Sequence, residues 1–351
     1  MSIRKISTTV AALLTLSLPT IHSHAAEAEY TMKLHHFLPP PSMAHSQILQ
    51  PWADKVMEES GGRIKIDIYP AMQLGGKPPA LFDQARKGIA DITWTVGGYT
   101  PGRFPKSTVF ELPFMVSTAE ATSMAIQAYA EKEMQEELKD VHLLAMHTHA
   151  PGSLHSRNTP IKTMEDLKGL KVRAPNKVMS DAFEALGAST IFMPVTQMPS
   201  ALSKGVVDVA VLPYEVVMPM KIHQLVEHNT EITGSRGLYS NTFVFSMNKD
   251  SYNQLPADLK AVIDNNSGIP LAQKIGRLFD EYEPVGRKAA EDEGNSFYTL
   301  PAEETQRWQQ HMDVVNQAWL KTMNEEGYDA QALMDEAKAL INQYSNPSAA
   351  Q

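Results

Sequence analysis

The chain contains no cysteine. That excludes disulfides, thiolate zinc sites, iron–sulfur clusters, cysteine nucleophiles and a lipid-bearing cysteine near the N-terminus. It also lacks any excess of positive charge. Thirty-one Lys and Arg face 40 Asp and Glu, for a net charge of −9 and a pI near 5.7. Such a chain has no electrostatic footprint for nucleic acid or for an anionic membrane. No hydrophobic run is long enough to span a bilayer, so membrane insertion is not expected. The motifs G-x-S-x-G, H-E-x-x-H, G-x-x-x-x-G-K-[ST] and G-x-G-x-x-G are all missing, and with them the hydrolase, zinc-protease and nucleotide-binding classes they mark. No cofactor is expected.

What is present suits a folded, exported protein. Hydrophobic residues make up 43% and charged residues 20% of 351 residues, enough to bury a core and fill two domains. Arg4 and Lys5 precede the apolar stretch Val10 to Leu18, and Ser23-His24-Ala25 fits a small-x-Ala cleavage site, with Ala28 as a second candidate. Residues 1–25 therefore read as a signal peptide. Without a lipid-bearing cysteine the released protein is soluble, and an outer membrane is needed to keep it near the cell. The expected location is the periplasm of a Gram-negative bacterium.

Strand and helix patterns alternate from Tyr30 onward. Tyr30 to Leu34 alternates like a strand, Ile48, Trp52 and Val56 form a helical stripe interrupted by Pro51, and Ile64 to Tyr69 and Ala90 to Val96 are further strands. Ser117-x-x-Glu120 matches a capping box ahead of a helix. After Pro151-Gly152 a second block repeats the alternation, with strands at Leu170 to Ala174, Thr190 to Val195 and Val206 to Leu212. Thr242 to Met247 returns as a strand. Pro256 to Glu293 is helical, punctuated by Pro270 and Pro284, and helices follow at Pro301 to Met323 and Ala330 to Tyr344. This order implies an α/β fold of two lobes with largely parallel sheets and a ligand cleft between them. The expected division is 26–150 plus about 242–290 for one lobe, 151–241 plus about 291–345 for the other, and 346–351 as a tail.

Two groups of residues invite a chemical reading. His147 and His149 lie two apart, with His155 close behind and His35, His36 and His45 near the first strand. They read either as a metal site or as hydrogen-bonded histidines at strand ends. Arg173, at the end of a short strand following the Thr163-x-x-Asp166 turn, reads either as a fork for a ligand carboxylate or as a surface ion-pair residue.

The segment from Pro160 to Pro175 resembles the signature of the solute-binding proteins of tripartite ATP-independent periplasmic (TRAP) transporters, the DctP-like family, roughly P-I-x-[ST]-x-x-D-L-K-G-x-K-[IV]-R-x-P. Gly62 to Pro70, Gln73 to Gly76, Gly88 to Ile92, Glu111 to Phe114, Ala185 to Ala188, Gly205 to Asp208 and Met247 to Lys249 fall in the family's order and spacing. The resemblance implies a two-lobed periplasmic binding protein fold with a central ligand cleft and a long bridging helix. It implies that Arg173 holds the carboxylate of an organic acid. It also implies partner membrane subunits, one small and one large, that take up the acid on an ion gradient without ATP. A binding role rather than catalysis follows.

Departures from the family bear on the ligand. Leu212 stands where sialic-acid-binding relatives have Asn, and His36 or Phe37 where they have another Asn. With Trp94, Met193 and Tyr214 these suggest an apolar wall, Trp94 and Tyr214 each adding a polar handle. Arg157, His36 and His155 are candidates for a second carboxylate, and Asn241 lies where a linking strand would pass the cleft. The favoured ligand is a monocarboxylate with an apolar or aromatic body, or a 2-oxo acid. A C4-dicarboxylate or sugar acid is the alternative within the family. A metal receptor and a periplasmic enzyme on the same scaffold are the alternatives outside it.

Overall fold

The computed structural model describes residues 28–232 and 234–346. The expected signal peptide and all of the expected tail except Asn346 lie outside the described residues. Eleven strands form two sheets among the described residues. The first holds β1 (Tyr30–His36), β2 (Ile64–Tyr69), β3 (Ile92–Val96), β4 (Val141–Thr148) and β10 (Thr242–Asn248), in the order β2-β1-β3-β10-β4. The second holds β5 (Ser153–Ser156), β6 (Lys171–Ala174), β7 (Ser189–Phe192), β8 (Val209–Leu212), β9 (His228–Glu231) and β11 (Ser296–Thr299), in the order β11-β9-β5-β8-β6-β7. Most pairings are parallel, but β10 runs antiparallel to β3 and β4, and β5 antiparallel to β8 and β9. These are the strands by which the chain, having crossed between lobes, enters the other sheet. Strands β3 and β10 are buried along their whole length, which explains their unbroken apolar and small-polar character.

The helix Gly268–Asp292 runs unbroken for 25 residues. The expected punctuation is absent at Pro270, which sits in the first turn, where a missing N–H costs nothing. Pro284 is accommodated inside the helix. This helix packs on the helix Ala119–Glu133 and on β4 of the first lobe, and on the turn Tyr214–Val216 of the second. Two glycines allow the approach. A Cβ at Gly276 would lie 2.4 Å from the Ala119 carbonyl oxygen, and one at Gly286 1.8 Å from that of Tyr214. Two carboxylates one turn apart fasten it at both places. Asp280 accepts from the N–H groups of Ala119 and Glu120 (2.8 and 2.9 Å), and Glu283 from those of Tyr214 and Glu215 (3.1 and 2.9 Å). The bridging helix thus caps one turn in each lobe.

Three local expectations change. The cap of Ala119–Glu133 is Thr118, whose side chain accepts from Ala121 N–H, while Glu120 turns to Arg277 instead. The helix around Trp52 begins at Gln50, with Pro51 in its first turn, after a π-helical turn at Ala44–Leu49. Finally, Ala302–Glu325 packs on the second lobe's helix Lys177–Ala185, but Ala330–Ser345 returns to Ala119–Glu133 of the first lobe. Its apolar face required a partner without specifying which lobe supplied it.

Candidate ligand cleft

The cleft is built at the carboxyl ends of β3, β6 and β8, where doubly wound sheets place ligands. The turn ahead of β6 is fixed by the capping box of Thr163 and Asp166, and Leu167 beneath it is fully buried. Strand β6 then carries Arg173 inward, paired through its backbone with β8 at Ala210. Arg173 is only 2% exposed. Its Nε donates to the Met193 carbonyl (3.0 Å) and its Nη1 to the Val211 carbonyl (2.9 Å). No ion pair among the described residues includes it. Two carbonyl dipoles orient the guanidinium without neutralising it, and a buried charge left that way is costly unless an anion meets it.

Arg173 lines a small cavity together with Phe37, Trp94, Leu212 and Asn241. One wall is an aromatic stack. Phe37 lies on Trp94 (centroids 5.1 Å apart, 11° between planes), Trp94 on Phe243 (4.8 Å, 20°), and Phe243 on His147 (4.7 Å, 6°). Trp94 Nε1 donates to His147 Nε2 at 2.8 Å. That places the His147 proton on Nδ1, facing the Thr148 carbonyl at 3.3 Å. Burial pushes the His147 pKa down to about 3. Trp94 therefore turns an apolar face to the cavity and keeps no free polar handle.

Tyr99 joins the lobes. Its hydroxyl accepts from the Val195 N–H at 3.0 Å and lies beside Arg173. Asn241 Nδ2 donates to His149 Nε2 (3.0 Å), as does the Asn241 N–H (3.1 Å), and Asn241 Oδ1 accepts from Asn176 (3.0 Å). His149 Nδ1 donates to the Ala150 carbonyl at 2.5 Å. Burial lowers the His149 pKa to about 4, and the Arg173 charge acts in the same direction. His147 and His149 are thus neutral, with their ring nitrogens engaged. No group of three or more metal-binding side chains gathers among the described residues.

The cavity brings together six of the residues singled out in the sequence: Arg173, Trp94, Phe37, Leu212, Asn241 and His149. Five others are not among its lining residues. Met193 supplies its backbone carbonyl to Arg173. His36 sits behind Trp94, edge-on to it, and pairs with His45 at 2.9 Å. His155 is held inside the second sheet between Asn229 Oδ1 (2.6 Å) and the Leu212 carbonyl (3.1 Å). Tyr214 packs edge-on against His155, and its hydroxyl donates to Glu231 at 3.1 Å. Arg157, half-buried, lies against Gly205, away from the cavity. Sequence reasoning also missed lining residues, namely Tyr99, Tyr239, Phe243 and Glu215. Phe243 lies opposite Val96 on the antiparallel partner of β3, a register that the strand pattern of residues 242–247 does not reveal. The others come from irregular turns and the linking segment, where no periodicity marks a direction.

With this geometry in view, the likeness to known proteins is specific. Residues 34–323 match the family model described as bacterial extracellular solute-binding protein, family 7. A TRAP solute-binding protein of an unidentified marine microbe, described as specific for aromatic acid ligands and solved with metahydroxyphenylacetate, is 44% identical. It superposes with a TM-score of 0.89 over 90% of this chain and 99% of its own. One from Rhodoferax ferrireducens, solved with copurified benzoate, is 45% identical with a TM-score of 0.89 over 91% and 99% of the two chains. A third, from Bordetella bronchiseptica with bound (R)- and (S)-mandelate, is 29% identical with a TM-score of 0.82 over 89% and 99%.

Proposed function

This chain belongs to the bacterial extracellular solute-binding proteins of family 7, the solute-binding proteins of TRAP transporters, and from that premise we propose that its cleft captures an aromatic monocarboxylate. One observation carries the reading. A buried guanidinium without an acidic partner shares a small cavity with a stacked aromatic wall. A carboxylate takes up the free part of the Arg173 fork in charge-assisted hydrogen bonds. A flat ring fits against Phe37 and Trp94 and contributes roughly 25 cal/mol per Å² of apolar surface removed from water.

The same walls argue against sugar acids. Each hydroxyl left unpaired against Leu212, Phe37 or the face of Trp94 costs about 1–3 kcal/mol. Against C4-dicarboxylates, Arg157, His36 and His155 lie away from the cavity lining, so a second carboxylate would lack a cation from this set. The ligands of the marine, Rhodoferax and Bordetella relatives are all monocarboxylates that carry an aromatic ring, which supports the same class here. In this reading residues 1–25 direct export, and the loaded receptor hands its acid to a small and a large membrane subunit for ion-driven uptake. No helix among the described residues is long and apolar enough to cross a membrane.

Calorimetric titration tests the ligand class. Benzoate, benzoylformate and indole-3-acetate sample the favoured class, and succinate and glucuronate the alternatives. At least one aromatic acid should bind tightly without turnover. Tight binding of succinate or glucuronate, with the aromatic acids silent, would overturn the reading.

A further inference from the structure

The cavity contains one acid that the carboxylate anchor does not use. Glu215 lines it together with Arg173 and is 8% exposed. Its backbone N–H is fixed to Glu283, but its side chain makes no hydrogen bond among the described residues, and Oε2 is fully enclosed without a partner. Arg173 and Glu215 share the cavity, and no ion pair among the described residues joins them. A buried acid with an unpartnered oxygen in a cavity whose other polar groups Asn241 and His149 are already engaged is a feature that needs a ligand group to satisfy it.

We propose that Glu215 is a second recognition point, one that hydrogen-bonds a hydroxyl group on the bound aryl acid and so makes hydroxylated aryl monocarboxylates the preferred ligands. This rests on the reading of the cleft as an aryl-acid site and adds to it a second polar contact with the ligand. The chemistry suits a hydroxyl. Burial, reinforced by the neighbouring Glu283 carboxylate, raises the Glu215 pKa well above the ordinary range. A neutral carboxyl both donates and accepts, as a hydroxyl does, so the two can satisfy one another. An ionised Glu215 would instead face a second buried carboxylate at Glu283, which itself titrates near 7 because of burial. The turn Tyr214–Val216 sets the direction. Glu283 grips the N–H groups of both Tyr214 and Glu215, so that Tyr214 packs toward His155 and Glu215 lines the cavity.

Matched ligand pairs test this by calorimetry on the intact protein. The pairs are benzoate against 3- and 4-hydroxybenzoate, and phenylacetate against mandelate. The wild type should prefer at least one hydroxylated member by about tenfold, the scale of one buried hydrogen bond. In Glu215→Met that preference should shrink to within about threefold, while Glu215→Gln, which can still donate and accept, should retain most of it. Thermal unfolding of each variant checks that it is folded. If the wild type binds aryl acids but prefers no hydroxylated member, the proposal fails and the aryl-acid reading stands. That comparison needs no variant. A folded Glu215→Met that keeps the full preference also overturns the assignment. If no aryl acid binds at all, both readings fall together.

Discussion

Replacing Arg173 by methionine should separate ligand affinity from protein stability. In the wild type the guanidinium is 2% exposed and held by two carbonyl hydrogen bonds, at 3.0 and 2.9 Å, with no carboxylate paired to it. Losing those bonds costs about 1 kcal/mol each. One of the two acceptors is not orphaned, because the Tyr239 hydroxyl also donates to the Val211 carbonyl at 3.0 Å. Against this, the variant no longer buries an unpaired charge, whose effective penalty is several kcal/mol. The ligand-free protein should therefore unfold at a temperature close to, or above, that of wild type. Binding behaves oppositely. Removing one partner of a buried charge pair costs about 3–5 kcal/mol, on the order of a hundred- to several-thousand-fold in affinity. Calorimetry gives the affinity and differential scanning fluorimetry the ligand-free stability. A folded variant that binds its acid within about tenfold of wild type would refute the anchor. A loss of ligand-free stability as large as the loss of binding energy would recast Arg173 as a structural strut.

Other consequences follow from the same contacts. Saturating ligand should reduce the radius of gyration in small-angle scattering, with the lobes pivoting on the segments near Pro151 and Asn241; identical profiles with and without ligand would exclude closure. Gly286→Ala would push a Cβ to 1.8 Å from the Tyr214 carbonyl oxygen, a backbone atom, and should cost at least about 1–3 kcal/mol in urea unfolding. Asp280→Ala removes the acceptor for the Ala119 and Glu120 N–H groups and should cost about 0.5–2 kcal/mol in the same assay. Stability should also peak in a defined pH window. Burial lowers His36 and His147 to about 3 and His149 to about 4, so their contribution is complete above the ordinary value of 6.5 and is lost as pH falls. Burial raises Glu111, Glu137 and Glu283 to about 7, so theirs is complete below 4.5 and is lost as pH rises through 7. Melting temperatures should be highest between those limits, and a steady climb to pH 8 would contradict these assignments.

How far the sequence revealed this molecule depends on whether a feature is local. Alternating strands and helices, the Thr163–Asp166 capping box and the strand bearing Arg173 are written in runs of a few residues, and they appear where periodicity and capping chemistry put them. Features set by distant partners were hidden. The Trp94 N–H looked like a handle for ligand but is spent on His147, 53 residues away. Tyr214 and Glu215 are neighbours in a 3-10 turn whose direction Glu283 determines from another helix. Strand periodicity does not say which of the two faces the cleft, and in the fold it is Glu215 rather than Tyr214 that lines it. In a sequence a histidine's ring nitrogens have no visible partner, which leaves a metal among the open readings. In the fold, Asn241, Trp94 and backbone carbonyls use those of His147 and His149.

The most direct test of the central claim is a crystal structure of the wild-type protein with benzoate or 3-hydroxybenzoate. The carboxylate should lie about 2.7–2.9 Å from Arg173 nitrogens, as in charge-assisted pairs, with the ring against Phe37 and Trp94. A ligand whose carboxylate contacts another cation, or whose ring lies outside the Phe37–Trp94–Phe243 wall, would contradict the account.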